Sequence, residues 1–299
     1  MGLLTPLENH TAYLKLGMLG FAGSGKTFTA VEIAMGLCKE IKNDKIAFFD
    51  TEKGSDFHGK RVRDAGLKFD GIKSRSFSDL LETIKEAEQG KYGALIIDSI
   101  SHVWKDLMDS YLKAKGRKFI SLPDWGPLKS QWAEFSDAFV NSKIHIIMCG
   151  RAAHEYDDFE NEATHKMESR KVGVKMRAET ETGYEPDLLL LMERVSEGTK
   201  SKGKKKSSLW VHQATVLKDR TDLMNGSTFE NPTFETFRPI IKFLNLGGTH
   251  QGTDTTRDST ALFKDNDRSF EERKIQKQIA VERLDEVLTL GGLTGTSVK

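Results

Sequence analysis

Short apolar runs alternate with amphipathic ones along the first half of the chain. Tyr13 to Leu19, Lys45 to Phe49, Ala94 to Ile97 and Ile144 to Met148 are β-rich stretches, each closed by a polar or glycine-containing turn. Between the first three, Phe28 to Ile41 and Phe77 to Gln89 place apolar residues at three- and four-residue intervals, the helical period. Strands alternating with helices predict a buried, mostly parallel sheet flanked by helices, because each crossover helix covers one face of it. A ligand of such a sheet sits outside the carboxyl ends of the strands. The turns after Leu19, Phe49, Ile97 and Met148 converge there.

Beyond Gly150 the pattern changes. Arg151 to Glu181 is a long polar stretch, which inside a compact domain implies mobility or function. Asp187 to Glu193 and Leu209 to Leu217 read as strands around a polar tip, a β-hairpin with the basic sequence Lys200 to Lys206 at its turn. Phe234 to Leu246 is a last packed element before Gly247-Gly248. Thr249 to Thr260, rich in Gly, Thr and Asp, reads as linker, and a charged helix follows over roughly Ser269 to Leu290. The expected organisation is therefore a core over 1–246, a flexible linker over 247–268, and a helix with tail over 269–299.

Composition narrows the function classes. Lys plus Arg number 45 against 44 Asp plus Glu, so bulk charge does not argue for a polyanionic partner, and any such site must be local. The 2 cysteines, Cys38 and Cys149, lie in apolar segments without metal-ligand spacing, which points to buried thiols in a reducing cytoplasm. No apolar run has the length of a membrane span, and Met1 to Pro6 lacks the pattern of a signal peptide. The expectation is a cytoplasmic protein with no membrane partner.

Three segments carry the chemistry. Gly20-Phe21-Ala22-Gly23-Ser24-Gly25-Lys26-Thr27 matches GxxxxGKT at every defining position, between an apolar strand and a helix-like run from Phe28, and Gly20 to Phe28 are the expected nucleotide-binding residues. Such a loop aims backbone N–H groups and a helix N-terminus at a polyphosphate; Lys26 reaches the β- and γ-phosphates and the Thr27 hydroxyl ligates Mg²⁺. Leu95-Ile96-Ile97-Asp98 is a strand ending in an acid, placing Asp98 as the second Mg²⁺ contact. Hydrolysis also needs a group that orients water. Glu52 in Phe49-Asp50-Thr51-Glu52 is favoured over Asp50, which should end the strand and brace the turn while Glu52 reaches the cleft. The expected cofactors are ATP and Mg²⁺.

Taken together these motifs resemble the RecA-like P-loop ATPase superfamily over roughly residues 10–240. The resemblance implies an α/β RecA-like core, with Glu52 as the catalytic glutamate. Softer features are similar to the phage single-strand annealing and recombination ATPases, the Sak group: Asp98-Ser99 before Trp104, then Trp132, Met148 to Arg151, Glu185 to Leu188, and Val216 to Arg220. Two departures stand out. Arg151 occupies the place where recombinases carry a polar amide, and only about a dozen residues precede the first strand, without the usual N-terminal oligomerisation domain. Arg151 is either a γ-phosphate sensor in cis or a surface arginine. Lys218 and Arg220 resemble the basic pair offered to a neighbouring subunit's nucleotide, and Lys175 and Arg177 compete for that role.

Single-stranded nucleic acid requires cations for phosphates and aromatic faces for bases. Lys113, Lys115, Arg117, Lys118 and Phe119 supply both where RecA-like proteins carry a first DNA-facing loop. Arg170, Lys171, Lys175 and Arg177 concentrate positive charge where they carry a second. The leading expectation is a DNA-stimulated ATPase acting on single-stranded DNA as a ring or filament, with a single-strand-binding protein as a further partner. A helicase-like motor or loader, and an ATP-dependent switch for a protein partner, are the alternatives.

Overall fold

The computed structural model describes residues 11–161, 166–202, 205–248, 250–252, 259 and 274–283. These fall in two compact units, Met1–Gly252 and Thr253–Lys299. The second contains a helix over 274–283 with exposed side chains. The linker read over 247–268 and the ends of the terminal helix lie largely outside the described residues.

The first unit is an α/β fold around a mostly parallel, 9-stranded sheet. Its elements are β1 (Lys15–Gly20), α1 (Lys26–Glu40), β2 (Lys45–Asp50), α2 (Gly59–Asp64), β3 (Lys68–Lys73), α3 (Phe77–Gln89), β4 (Ala94–Asp98), α4 (Ile100–Ala114), α5 (Trp125–Asn141), β5 (His145–Asn161), β6 (Lys166–Met176), β7 (Leu188–Lys202), β8 (Lys205–Asp219), β9 (Thr228–Glu230) and α6 (Arg238–Phe243). The strand order is β3-β2-β4-β5-β1-β7-β8-β9, with β6 paired to β5 off this path. Strands β3 to β7 on this path run parallel, and β8 and β9 turn back antiparallel.

Both faces of the central strands are covered, which explains their continuous apolar sequences. One face carries α1, whose Val31, Ile33, Ala34 and Leu37 pack with Leu16, Met18, Phe48 and Leu190, closed by Phe234 and Phe237. The other carries α3, α4 and α5. Leu128, Trp132, Phe135 and Phe139 of α5 form a buried stripe at helical spacing against Leu95, Ile97 and Met148. Trp132 keeps its indole N–H satisfied by donating to Thr182 Oγ1 at 2.9 Å. The edge strand β3, Lys-Phe-Asp-Gly-Ile-Lys, is mostly exposed, so it lacks the apolar run by which a strand is recognised.

The polar stretch from Arg151 is a β-ribbon rather than a loop. β5 leaves β1 at the Gly20–Arg151 pair and continues outward to Asn161, antiparallel to β6. Only its root is buried, at Ala152 and Met176. Farther out the ribbon is mostly exposed and polar, so it leaves only a weak apolar signature. A second ribbon, β7–β8, rises beside it from the same edge of the sheet.

Candidate active site

The loop after β1 has the backbone a polyphosphate cradle requires. Gly23 (φ 75°) and Gly25 (φ 90°) lie in the left-handed region where side chains are strained. A Cβ at Gly25 would also lie 2.8 Å from the His212 ring, and one at Gly20 would meet the Met192 carbonyl and come within 2.5 Å of Ser24 Oγ. No side chain caps the amino end of α1 and no acid lies in its first turn, so its N–H groups are open to an anion. Lys26 Nζ donates to Gly20 O at 2.9 Å and Phe21 O at 3.1 Å, at the mouth of the loop. Ala22 is exposed; Phe21 packs on His154, and Phe28 lies under the Arg61 guanidinium.

β5 separates β1 from β4, so the two strands that carry the loop and the acid are not neighbours. Their ends still meet, because Thr27 stands at the start of α1 and donates from Oγ1 to Asp98 Oδ2 at 2.5 Å. Asp98 is buried, which raises its pKa, and the charge of Glu52 adds to this while the Thr27 bond opposes it. A buried carboxylate facing a hydroxyl fits Mg²⁺, which takes few protein oxygens and completes its shell with water and phosphate. Among the described residues no group of three or more His, Cys, Asp or Glu could hold a metal ion unaided.

Asp50 and Glu52 have different surroundings. Asp50 accepts the N–H groups of Glu52 (2.9 Å), Gly54 (3.1 Å) and Ser55 (3.0 Å) and the Ser55 hydroxyl, closing the turn after β2. Glu52 points toward the Asp98 end of β4. Its Oε1 accepts from Ser99 Oγ at 3.2 Å and from Arg151 Nε at 3.0 Å, and lies 3.6 Å from His102 Nδ1. Burial pushes Glu52 upward, but the Arg151 hydrogen bond and charge, with His102 and Ser99, outweigh it and hold the pKa below the usual value. The group is therefore an anion at neutral pH. Arg151 is fixed in turn: its N–H donates to Ser101 Oγ at 2.9 Å and its carbonyl accepts from Arg177 N–H at 2.7 Å.

A family model described as an AAA domain matches residues 12–221. The chain belongs to that family. No curated protein matches it. As an AAA domain it is a P-loop nucleotide-binding module of ATPase type, and the matched span covers the loop, Glu52, Asp98, Arg151 and both ribbons. No helix among the described residues is long and apolar enough to cross a membrane.

The remaining residues singled out from sequence spread over three other regions of the AAA domain. Lys218 and Arg220 lie at the far edge of the sheet from the loop: Lys218 pairs with Leu189, while Gly20 is level with Met192. Lys218 Nζ and Arg220 Nη2 donate to Tyr184 O, and Arg220 also faces Asp187 at 3.6 Å. They do not reach the loop of their own chain. Lys175, Arg177 and Lys218 line one cavity of about 610 Å³, together with Tyr184 and Leu217. Arg170 faces Asp157 at 3.8 Å and covers the Phe159 ring, Lys175 faces Glu155 at 3.5 Å, and Lys171 is exposed opposite Tyr156. Ribbon acids thus offset part of the ribbon's positive charge.

Lys113 in the last turn of α4, and Lys115, Lys118 and Phe119 after it, are exposed. Arg117 differs from them, because it grips Asp124 at 2.9 and 3.1 Å and so holds the segment in place. The basic hairpin tip falls on residues whose side chains are not described. Sequence reasoning missed Thr51, Ser101 and His102. His102 bonds Thr51 Oγ1 at 2.8 Å. The signal for it was its position four residues after Asp98, which turns a first-turn helix residue back over the strand ends.

Proposed function

We propose that this AAA domain hydrolyses ATP while bound as a multimer to single-stranded DNA, in strand annealing or recombination of the phage type. The observation that carries the hydrolytic reading is the anionic Glu52 beside the Thr27–Asp98 pair. An anion there suits transfer to water, since it can orient a water molecule and accept its proton as that water attacks the γ-phosphate. Lys26 and the loop N–H groups would bind the β- and γ-phosphates and stabilise the charge that grows on them. Thr27 and Asp98 would hold Mg²⁺, which when bound neutralises phosphate oxygens. Ser99, Arg151 and His102 hold the Glu52 carboxylate in position.

The DNA reading is supported by exposed Lys113, Lys115, Lys118 and Phe119, which combine cations with an aromatic face. Lys218 and Arg220, out of reach of their own loop, are available to a neighbouring copy's nucleotide. The softer similarity to the Sak group favours annealing over unwinding. A protein-partner switch is the second reading, favoured by Phe119 and Leu122, which are 82% and 87% exposed.

The test is the ATPase rate with and without single-stranded DNA, for wild type and Glu52→Gln. Stimulation by DNA, with a loss of roughly 10²-fold or more in Glu52→Gln at unchanged nucleotide affinity, is the expected result. An unstimulated rate would move the assignment to the protein-partner switch, and ATP-driven strand separation to a helicase-like motor or loader.

A further inference from the structure

The β7–β8 ribbon runs past the phosphate loop on the side away from the acids. Leu190 and Met192 of β7 and Ala214 and Val216 of β8 pack in the core with α1. Arg194, His212 and Trp210 continue the same alternation outward, and Arg194 pairs directly with His212. This brings the ribbon against the loop. The His212 ring occupies the space a Cβ on Gly25 would need, and Arg194 Nη1 lies 3.7 Å from where a Cβ on Gly23 would sit. Farther out, the Arg194 guanidinium lies over the Trp210 ring at 4.4 Å, and Trp210 is 49% exposed.

We infer that the Trp210–Arg194 pair is the nucleobase platform of the site. The inference rests on nucleotide binding by the loop and adds which end of the nucleotide lies where. The metal-binding pair Thr27–Asp98 and the water-orienting Glu52 belong to the β4 and β2 side of β1, so the γ-phosphate lies toward that side. A polyphosphate held across the loop then leads its nucleoside to the opposite side, where β7 and β8 stand. A half-exposed indole with a guanidinium over it presents the flat, polarisable surface on which a purine or pyrimidine stacks. The aromatic rings on the other side are less suited. Phe28 packs with His58 and Arg61, which follow β2 on the γ-phosphate side, and Phe57 belongs to the turn Gly54–Phe57, whose first residue abuts Thr27 and Asp98.

Binding of ADP and of inorganic tripolyphosphate to the full chain, measured by calorimetry, tests this. Trp210→Ala should weaken ADP roughly ten- to hundredfold, the range expected for one lost base stack. The same variant should leave tripolyphosphate affinity within about twofold, because no base is present to lose. Trp210→Phe should retain most of the ADP affinity, and Arg194→Ala should fall between. In wild type, ADP should quench tryptophan emission, and Trp210→Phe should abolish most of that quenching. Unchanged ADP affinity in Trp210→Ala would overturn the inference, as would a base-selective loss in Phe57→Ala instead. Equal weakening of both ligands would also overturn it, by showing that the ribbon merely props the loop. Wild type binding neither ligand would sink the nucleotide reading itself, and the inference with it.

Discussion

Arg151 and Glu52 form an ion pair across the carboxyl edge of the sheet, with Nη2 2.9 Å and Nε 3.0 Å from the same carboxylate oxygen. Arg151 is beyond the pairing of β5 with β4, and is the last residue of β5 that pairs with β1. The charge state of Glu52 thus depends on a residue at the root of the β5–β6 ribbon.

Removing that guanidinium leaves burial to act on Glu52 with less opposition, so its pKa rises. The acid limb of the kcat profile should move to higher pH in Arg151→Ala. Arg151→Lys keeps the charge but loses the two-nitrogen grip, and should shift the limb less. Profiles that superimpose on wild type would show that Arg151 does not hold Glu52 ionised.

Asp98→Asn removes the buried carboxylate that meets Thr27. Mg²⁺ affinity in the presence of ATP should fall on the order of 10²-fold and hydrolysis with it, whereas Mg²⁺-free ADP binding should change little. Chelation by EDTA should abolish turnover in wild type. An Asp98→Asn protein with an unaltered Mg²⁺ titration would exclude Asp98 from the metal site.

Gly36 on α1 lies flat against Phe234, and a Cβ there would overlap the ring near its own Cβ, where the ring cannot swing away. Gly36→Ala should therefore lower stability by about 1–3 kcal/mol, despite the better helix propensity of alanine. Urea unfolding measures this. A stabilised variant would mean that the Phe234 segment is not seated on α1.

His145 is buried, and its Nδ1 accepts the Leu14 N–H at 2.8 Å, so the ring is neutral in the fold. Burial first, and then Lys15, lower its pKa from 6.5 to about 3. The unfolded chain takes up this proton below pH 6.5 while the folded chain does not, so stability falls as pH drops from 6.5 toward 3. The loss from this residue should reach about 2 kcal/mol by about pH 5. His145→Gln keeps an acceptor without the proton, and its unfolding free energy should lose that part of the pH slope between about pH 7 and pH 5.

Lys113, Lys115 and Lys118 present their side chains to solvent, whereas Arg117 is engaged with Asp124. Replacing the three lysines with alanine should reduce the salt dependence of single-strand binding by about one in log–log slope for each phosphate no longer neutralised. Arg117→Ala should instead loosen the segment around Asp124, visible as faster proteolysis there. A triple-lysine variant with wild-type affinity and slope would remove this segment from any DNA interface.

The nucleotide-binding module and the class of fold were legible in the amino-acid sequence alone, because both rest on local properties. Phosphate cradling requires contiguous residues, so Gly20 to Thr27 stand out as a unit. Helical and strand periods are equally local, so the central strands and the helices α1 and α3 could be read directly. The different placement of Asp50, closing the turn, and Glu52, reaching toward the end of β4, was legible in outline, because their spacing at a strand end set their different reach. Which residues meet across the chain emerged only in three dimensions. Arg151 finds Glu52, and Trp210 finds Arg194, through strand order and register, which no local pattern encodes. The polar β5–β6 ribbon is held by backbone bonds to which its side chains contribute little apolar signature. Lys218 and Arg220 follow a strand in sequence, but the antiparallel turn of β8 carries them to the edge opposite the loop. Direction of travel through the sheet, fixed by packing rather than composition, separates them from their own nucleotide site.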